Sequence, residues 1–437
     1  LNLRQYLNSE YVNVLKLLRN GRILDPQMRI APGDLLIEND SILQIFAPGE
    51  KPTRNIDIDI DLRGYLIFPG LLNAHDHLVD SFPYESPGTH ESPDSHQSPE
   101  RACQTWHEWE AEFKKSKARE QMQKLSAADL YSLGIYRNIL SGVTLVSDHF
   151  PREIATTFMG MPQITLLENY FLAHSVSAQR HEWGQGIQKE FSQSRGLLPF
   201  IVHLGEGFSQ ELIEECENLN RLGALGENTV LINALNLGPT QIEMVASRKA
   251  SVVWCPCSCA AVFRSQPPIE RFLDSNIRIA IGTDRALASP GILFDNLREA
   301  RRFSREKLNG RLTDEALIRM ATSIPAEMLG VDKASGSLAP GKLANLLVFE
   351  DTLQNPMESF FSLKTGTIGM VLHKGGLVYG DERFRSLCTL DSSQYTEILA
   401  DDRPKILMGR PFQLLDRIEN KLEQVVCFPF LPLAPGK

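Results

Sequence analysis

No stretch of the 437 residues is apolar for the length of a membrane span, so a chain embedded in a bilayer is not expected. A basic surplus is missing as well. Lys and Arg number 45 against 54 Asp and Glu, a formal net charge of -9, whereas nucleic acid calls for clustered cations. Cysteine is sparse: seven residues, an odd number scattered through a large chain, fit reduced thiols better than a disulfide framework. The first residues, L-N-L-R-Q-Y-L-N, lack the continuous apolar core of a secretory signal, and a cytoplasmic setting is the expectation. A homodimer is compatible with all of this. What the chain does have is 42% hydrophobic and 23% charged residues, the balance of a soluble protein with a large core. Its length suits an α/β barrel of about 250 residues with something attached.

Short apolar runs alternate with turns at residues 14–18, 21–24, 34–37 and 42–46, which predicts small antiparallel strands. The pattern returns only after residue 335, in G-S-L-A-P-G-K-L-A-N-L-L-V-F-E and V-L-H-K-G-G-L-V-Y-G. Neither fragment makes a stable sheet alone, so one small β-sandwich is predicted from residues 1–68 and 335–385. Residues 69–334 then form an inserted domain, and 386–437 a C-terminal extension that wraps the barrel or meets a partner. Inside the insert, strand-like runs at 145–147, 199–203, 229–233, 251–255 and 277–282 alternate with helical periodicity. Leu212, Cys216, Leu219 and Leu222 share one helical face, with Glu211, Glu214, Glu215 and Glu217 expected in solvent. Thr313 caps a further helix with an acidic first turn. Repeated βα units predict a parallel sheet closed into a (β/α)8 TIM barrel. Between 150 and 196 two strands cannot be placed, and 81–104, rich in Pro, Ser, Glu and His, reads as a long loop over the barrel mouth.

The chemistry-bearing residues begin with P-G-L-L-N-A-H-D-H-L, where His75 and His77 stand two apart after the apolar run 65–68. Side chains at i and i+2 of an extended segment point the same way, so both imidazoles can grip one ion. Alone, the pair also fits two ordinary histidines. Further along, P-F-I-V-H-L-G-E-G places His203 at a strand end and Glu206 three residues on, a ligand followed by a proton carrier. The strand at 277–282 runs into Thr283-Asp284, a carboxylate where the last barrel strand ends. His75, His77, His203 and Asp284 thus all fall at the C-terminal ends of barrel strands, where such barrels keep their active sites.

On these residues, together with L-R-N-G-R-I-L-D-P, S-G-V-T-L-V-S-D-H, V-V-W-C-P-C-S and I-G-T-D, the chain resembles the amidohydrolase superfamily, in the branch of cytosine deaminase, guanine deaminase and triazine hydrolases. The resemblance spans roughly residues 14–380. It implies one divalent metal on His75, His77, His203 and Asp284, zinc ahead of iron. It also implies that Asp284 takes a proton from water while Glu206 hands one to the substrate. Residues 164–175 contain no lysine, where two-metal members carry a bridging carbamate, so a single metal is expected. The expected reaction is hydrolysis of a non-peptide C–N bond, a deamination or its like, in a small heterocyclic or amidine-like substrate.

Two departures bear on that expectation. Where the branch normally has a histidine at the sixth strand end, T-V-L-I-N-A-L-N-L has Asn233, which can hydrogen-bond but cannot relay a proton. Asn233 is therefore a third catalytic candidate, as an orienting group. In W-C-P-C-S-C, Cys259 replaces an asparagine that would face the site, and Cys255, Cys257 and Cys259 also admit a soft metal cluster. Cys259, His174 and Trp106 are the candidates for substrate contact; His149 is expected to buttress the barrel mouth, and His90, His96, His107 and Trp109 to lie in or beside the lid. Two rivals remain open: an impaired relative serving as a binding or accessory protein, and a lyase-type reaction at the same metal site.

Overall fold

The first two apolar runs of the chain are one strand in the computed structural model, which describes residues 13–47, 49–50, 52–82, 102–151, 157–158, 160–177, 184–289 and 291–435. Strand β1 (Leu15–Leu24) continues through Asn20, which takes a φ of 61° where the register against β2 (Ile30–Glu38) shifts between Leu18 and Gly21. Asparagine tolerates that left-handed backbone, so a bulge absorbs the break that the sequence shows as a turn. Strands β3 (Ser41–Phe46), β4 (Ile58–Asp61) and β5 (Tyr65–Pro69) follow in the same sheet.

The apolar run before the histidines is β5, paired with β1 in the sandwich sheet, not a barrel strand. At Gly70 an added Cβ would lie 2.5 Å from Thr144, so only glycine lets the chain turn this close to its neighbour before restarting as β6 (Leu71–Asp76). The strands that follow are β7 (Val143–Asp148), β8 (Thr165–Leu166), β9 (Phe171–Ser175), β10 (Phe200–Leu204), β11 (Thr229–Asn233), β12 (Ser251–Trp254) and β13 (Ile279–Ile281). They pair in parallel as two arcs, β6-β7-β8 and β9 to β13, and a bridge between Asp76 and Asp284 brings the first arc to the end of the second. This is the eight-stranded βα architecture of a TIM barrel. Strand β8 has two residues, too few for any periodicity to betray it.

The returning strands β14 (Leu346–Glu350), β15 (Ile368–His373) and β16 (Gly376–Asp381) complete the sandwich; Lys374 and Gly375, both at positive φ, make the tight turn between the last two. The sheet does not stop at residue 385. Strands β17 (Tyr395–Ala400), β18 (Arg403–Met408) and β19 (Leu433–Pro435) extend it to eleven strands. Helices α1 (Trp106–Phe113), α2 (Lys117–Lys124) and α3 (Ala127–Ile139) are capped by Thr105, Ser116 and Ser126, whose hydroxyls each accept from the backbone N–H three residues on. The helix Pro411–Leu422 lies against α2 and α3, where Lys421 and Arg417 reach the buried Asp129 at 2.6 and 3.2 Å. Of the loop expected at 81–104, residues 83–101, with His90 and His96, lie outside the described residues.

His373 ties the sandwich to the barrel. A carbonyl only accepts, so Nδ1–H donates to Pro162 O at 3.0 Å, and Nε2 accepts from the Thr165 hydroxyl at 2.8 Å. A neutral ring satisfies both contacts, and burial lowers its pKa to about 4. A histidine that stays neutral when folded but charges when unfolded makes the protein lose stability as pH falls from about 6.5 to about 4, by about 3 kcal/mol in all. His373→Gln should therefore flatten the dependence of unfolding free energy on pH across that window, measured by urea denaturation. An unchanged slope would refute the assignment.

Candidate metal centre

His75 comes from β6, His77 from the residue just past it, His203 from β10 and Asp284 from the turn after β13. One donor atom from each lies within 4.8 Å of all the others, and all four residues are buried. The His77 and His203 Nε2 atoms are 3.3 Å apart, and Asp284 Oδ1 is 3.5 Å from the Nε2 of both His75 and His77. In a tetrahedral shell with bonds of about 2.1 Å, neighbouring donors sit about 3.4 Å apart, so the spacing suits one zinc-sized ion. Two further observations fit. The ring nitrogens of His75 and the Oδ1 of Asp284 are buried without a hydrogen-bond partner among the described residues, a costly arrangement unless a cation satisfies them. Burial holds His75 and His77 below the ordinary imidazole range, the latter helped by the Arg285 charge, so their lone pairs are available. Burial alone would raise the Asp284 carboxyl, but the His75 contact and the charge of Arg285 hold it well below the usual carboxylate range.

Beneath the donors lies a network that sequence reasoning missed. Asp76, between the two histidines, points away from them and takes Arg137 Nη2 on Oδ1 and the Asn138 and Asn73 amides on Oδ2, at 2.7 and 3.0 Å. Arg137 also donates to Asp284 O at 3.2 Å, and Asn73 joins Thr283 through both ends of its amide. The backbone N–H groups of Thr283 and Asp284 converge on His75 O. Gly282 permits this closeness, since a Cβ there would stand 2.9 Å from His75 O. Strand ends 210 residues apart are thereby locked in one register. Glu215, expected in solvent, is another such tie: it is buried and accepts from Ser175 Oγ, Ser177 N and Gly205 N, pinning the ends of β9 and β10.

Glu206 sits against His203, whose Nδ1 is 2.9 Å from Oε1; Asn233 Nδ2 donates to the same oxygen at 2.6 Å. Among the described residues Oε2 has no hydrogen-bond partner, and Glu206 lines the pocket. Asn233 is fully buried at φ 61°, its Oδ1 accepting from Cys255 N and the Cys259 thiol. Cys259 thus stands behind Asn233 and does not line the pocket. Burial raises the pKa of Cys255, Cys257 and Cys259, keeping them as thiols, the form that does not ligate metal. His149 is packed among the donors, its ring 5.1, 5.2 and 4.7 Å from those of His75, His77 and His203.

The pocket above the donors opens to solvent and holds about 430 Å³ of empty space, its mouth included. Trp106, Trp109 and Phe263 form its aromatic wall, and His174 meets Trp106 edge to face at 5.4 Å. The start of α1 is sewn to the Glu206 loop: Trp106 N donates to Glu206 O at 3.1 Å and Phe208 N to Gln104 O at 2.8 Å. Gly207, at φ 147°, makes room for this, because a Cβ would lie 2.6 Å from Gln104 O. Ser258, Arg285 and Trp109 also reach the pocket, and the sequence signal for Arg285 is simply its place after Asp284.

Residues 200–378 match the amidohydrolase family. A 5-methylthioadenosine/S-adenosylhomocysteine deaminase of Pyrococcus furiosus is 24% identical over 441 residues, covering 84% of this chain and 96% of that protein. Among solved structures, a zinc-bound adenosine deaminase from Xanthomonas campestris shares the fold with a TM-score of 0.69 at 16% identity, over 93% of this chain and 97% of that one. An atrazine chlorohydrolase from Arthrobacter aurescens TC1, complexed with zinc, superposes with a TM-score of 0.65 at 17% identity, over 93% and 99%.

Proposed function

Because residues 200–378 match the amidohydrolase family, we propose that this chain hydrolyses the exocyclic C–N bond of an aminated heterocycle and releases ammonia. The observation that carries the reading is a converging set of four buried donors directly below an aromatic pocket that the Glu206 carboxylate also lines. His75, His77, His203 and Asp284 would hold one divalent ion, which supplies the Lewis acidity that makes water a nucleophile at neutral pH.

The remaining work falls to the chain. Trp106 and Phe263 provide apolar faces for a flat ring, and His174 borders it. Asp284 would hold the ion through Oδ1, which is turned to the histidines, and accept water's proton on Oδ2, which the Ser258 hydroxyl positions at 2.6 Å. Glu206 carries a proton to the ring nitrogen or leaving amine through Oε2, while Asn233 and His203 hold Oε1 still. In this reading Asn233 is a positioning residue, adapted rather than decayed: an amide can hold Glu206 as a donor without competing for its proton.

The test is to load the protein with zinc, confirm one ion per chain by elemental analysis, and follow ammonia from adenine nucleosides, pyrimidines and triazines. The deaminase relatives make adenine nucleosides the first substrates to try. Ammonia release that disappears on chelation and returns with zinc is the expected result. Fully loaded protein that releases ammonia from none of them would favour the accessory-protein reading.

A further inference from the structure

A second cavity adjoins the catalytic pocket and shares Trp106, His174 and Arg285 with it, so one molecule can span both. Three cations line this vestibule, Lys114, Arg119 and Arg285, against two carboxylates, Asp80 and Glu110. Lys114 is committed to Glu110 at 2.9 Å. The arginines face Asp80 but hydrogen-bond to no carboxylate among the described residues. Arg285 approaches Asp80 only through Nε at 3.7 Å, beyond hydrogen-bond range, and neither of its terminal nitrogens has a partner among the described residues. Its side chain is only 18% exposed, with Cζ 6.0 Å from the centre of the Trp109 ring, so it is a desolvated wall of the site rather than a surface charge. Arg119 is half-buried and has no side-chain ion pair or hydrogen bond among the described residues. Guanidinium groups held like this are forks for a carboxylate or phosphate. The carboxylates of the catalytic pocket have partners other than these arginines, Glu206 through Oε1 in His203 and Asn233, and Asp284 in Ser258 and the histidines.

We propose that Arg285 and Arg119 form an anion subsite, and that the substrate is a heterocycle joined to a carboxylate or phosphate, its ring in the catalytic pocket and its acid in the vestibule. The proposal deepens the C–N hydrolase reading and rests on it for the ring's position. It makes Arg285 and Arg119 determinants of specificity.

Binding, not turnover, tests it. Tryptophan fluorescence of the zinc-loaded Glu206→Gln protein is titrated with adenosine, adenosine 5′-carboxylate and adenosine 5′-monophosphate, which differ only in the group at the 5′ position, and with inorganic phosphate and acetate alone. At least one charged nucleoside should bind tenfold or more tightly than adenosine, and which one identifies the anion. Adding Arg285→Gln or Arg119→Gln should shrink that ratio to about threefold or less, whereas Arg285→Lys, which keeps the charge but not the fork, should retain an intermediate ratio. Zinc content measured on each variant identifies any that has lost its fold or metal, and those are replaced by the lysine substitution. Adenosine binding with no preference for either charged form would overturn the proposal. If no nucleoside binds, the choice of adenine ring has failed instead; phosphate or acetate quenching that vanishes in Arg285→Gln then still supports the subsite, and absence of any quenching overturns it.

Discussion

Glu206→Gln should leave zinc bound and lower kcat by about a hundredfold to ten-thousandfold, the usual worth of a positioned acid–base group. The geometry makes this a clean substitution. Two donors, His203 Nδ1 and Asn233 Nδ2, converge on Oε1, so the glutamine carbonyl is expected to take that place and turn its NH2 toward the pocket where Oε2 had been. The shape is preserved and the fold barely changes, but an amide NH2 cannot take up a proton from water and release it to a ring nitrogen. Elemental analysis and ammonia release on one preparation decide the matter. A kcat within about threefold of wild type would remove Glu206 from the chemistry.

The second large effect is on stability. Arg137→Met should cost about 3–5 kcal/mol in urea denaturation, because it strands the Asp76 carboxylate in a fully buried position with only amide donors left to it. It should also weaken zinc binding, since Arg137 holds both Asp76 and the carbonyl of the donor Asp284. The pair is not an obvious source of net stability: Nε and Nη1 of Arg137 are buried without partners among the described residues, which offsets much of what Nη2 gains. Its value is in placing the donors. Arg137→Met combined with Asp76→Asn should accordingly regain most of the lost stability while zinc affinity stays low. A loss below about 1 kcal/mol for the single variant would argue that Asp76 is neutral or solvated.

Parts of this site stand out in the sequence for a physical reason. Metal donors must be His, Asp, Glu or Cys and must sit where a strand opens to the barrel mouth, so His75, His77, His203 and Asp284 are conspicuous against apolar runs. The groups that aim them are not. Arg137 lies on a helix whose Arg and Asp residues look like an ordinary solvated face, and its partner is 61 residues away. Glu215 sits among four glutamates of which only its fold neighbours single it out for burial. Arg285 follows a donor, yet nothing local says that its terminal nitrogens remain unbonded. Strand β8 is too short to carry a pattern, and the strands beyond residue 385 follow polar turns that read as an extension with its own fate.

Strand β16 has two neighbours, β15 and β18, and the second is supplied from beyond residue 402. The same region supplies the Arg417 and Lys421 that neutralise Asp129 at the start of α3, the helix whose far end carries Arg137. Trimming the gene to the part that matches the family, residues 200–378 and what precedes them, would therefore cut β16 after its third residue, remove β18 and bare a sheet edge ready to recruit strands from other molecules. It would also slacken the helix under the donor cluster. A shortened version made for convenience would be lost first to inclusion bodies, and an assay on its soluble remnant would misread a handling failure as a dead enzyme.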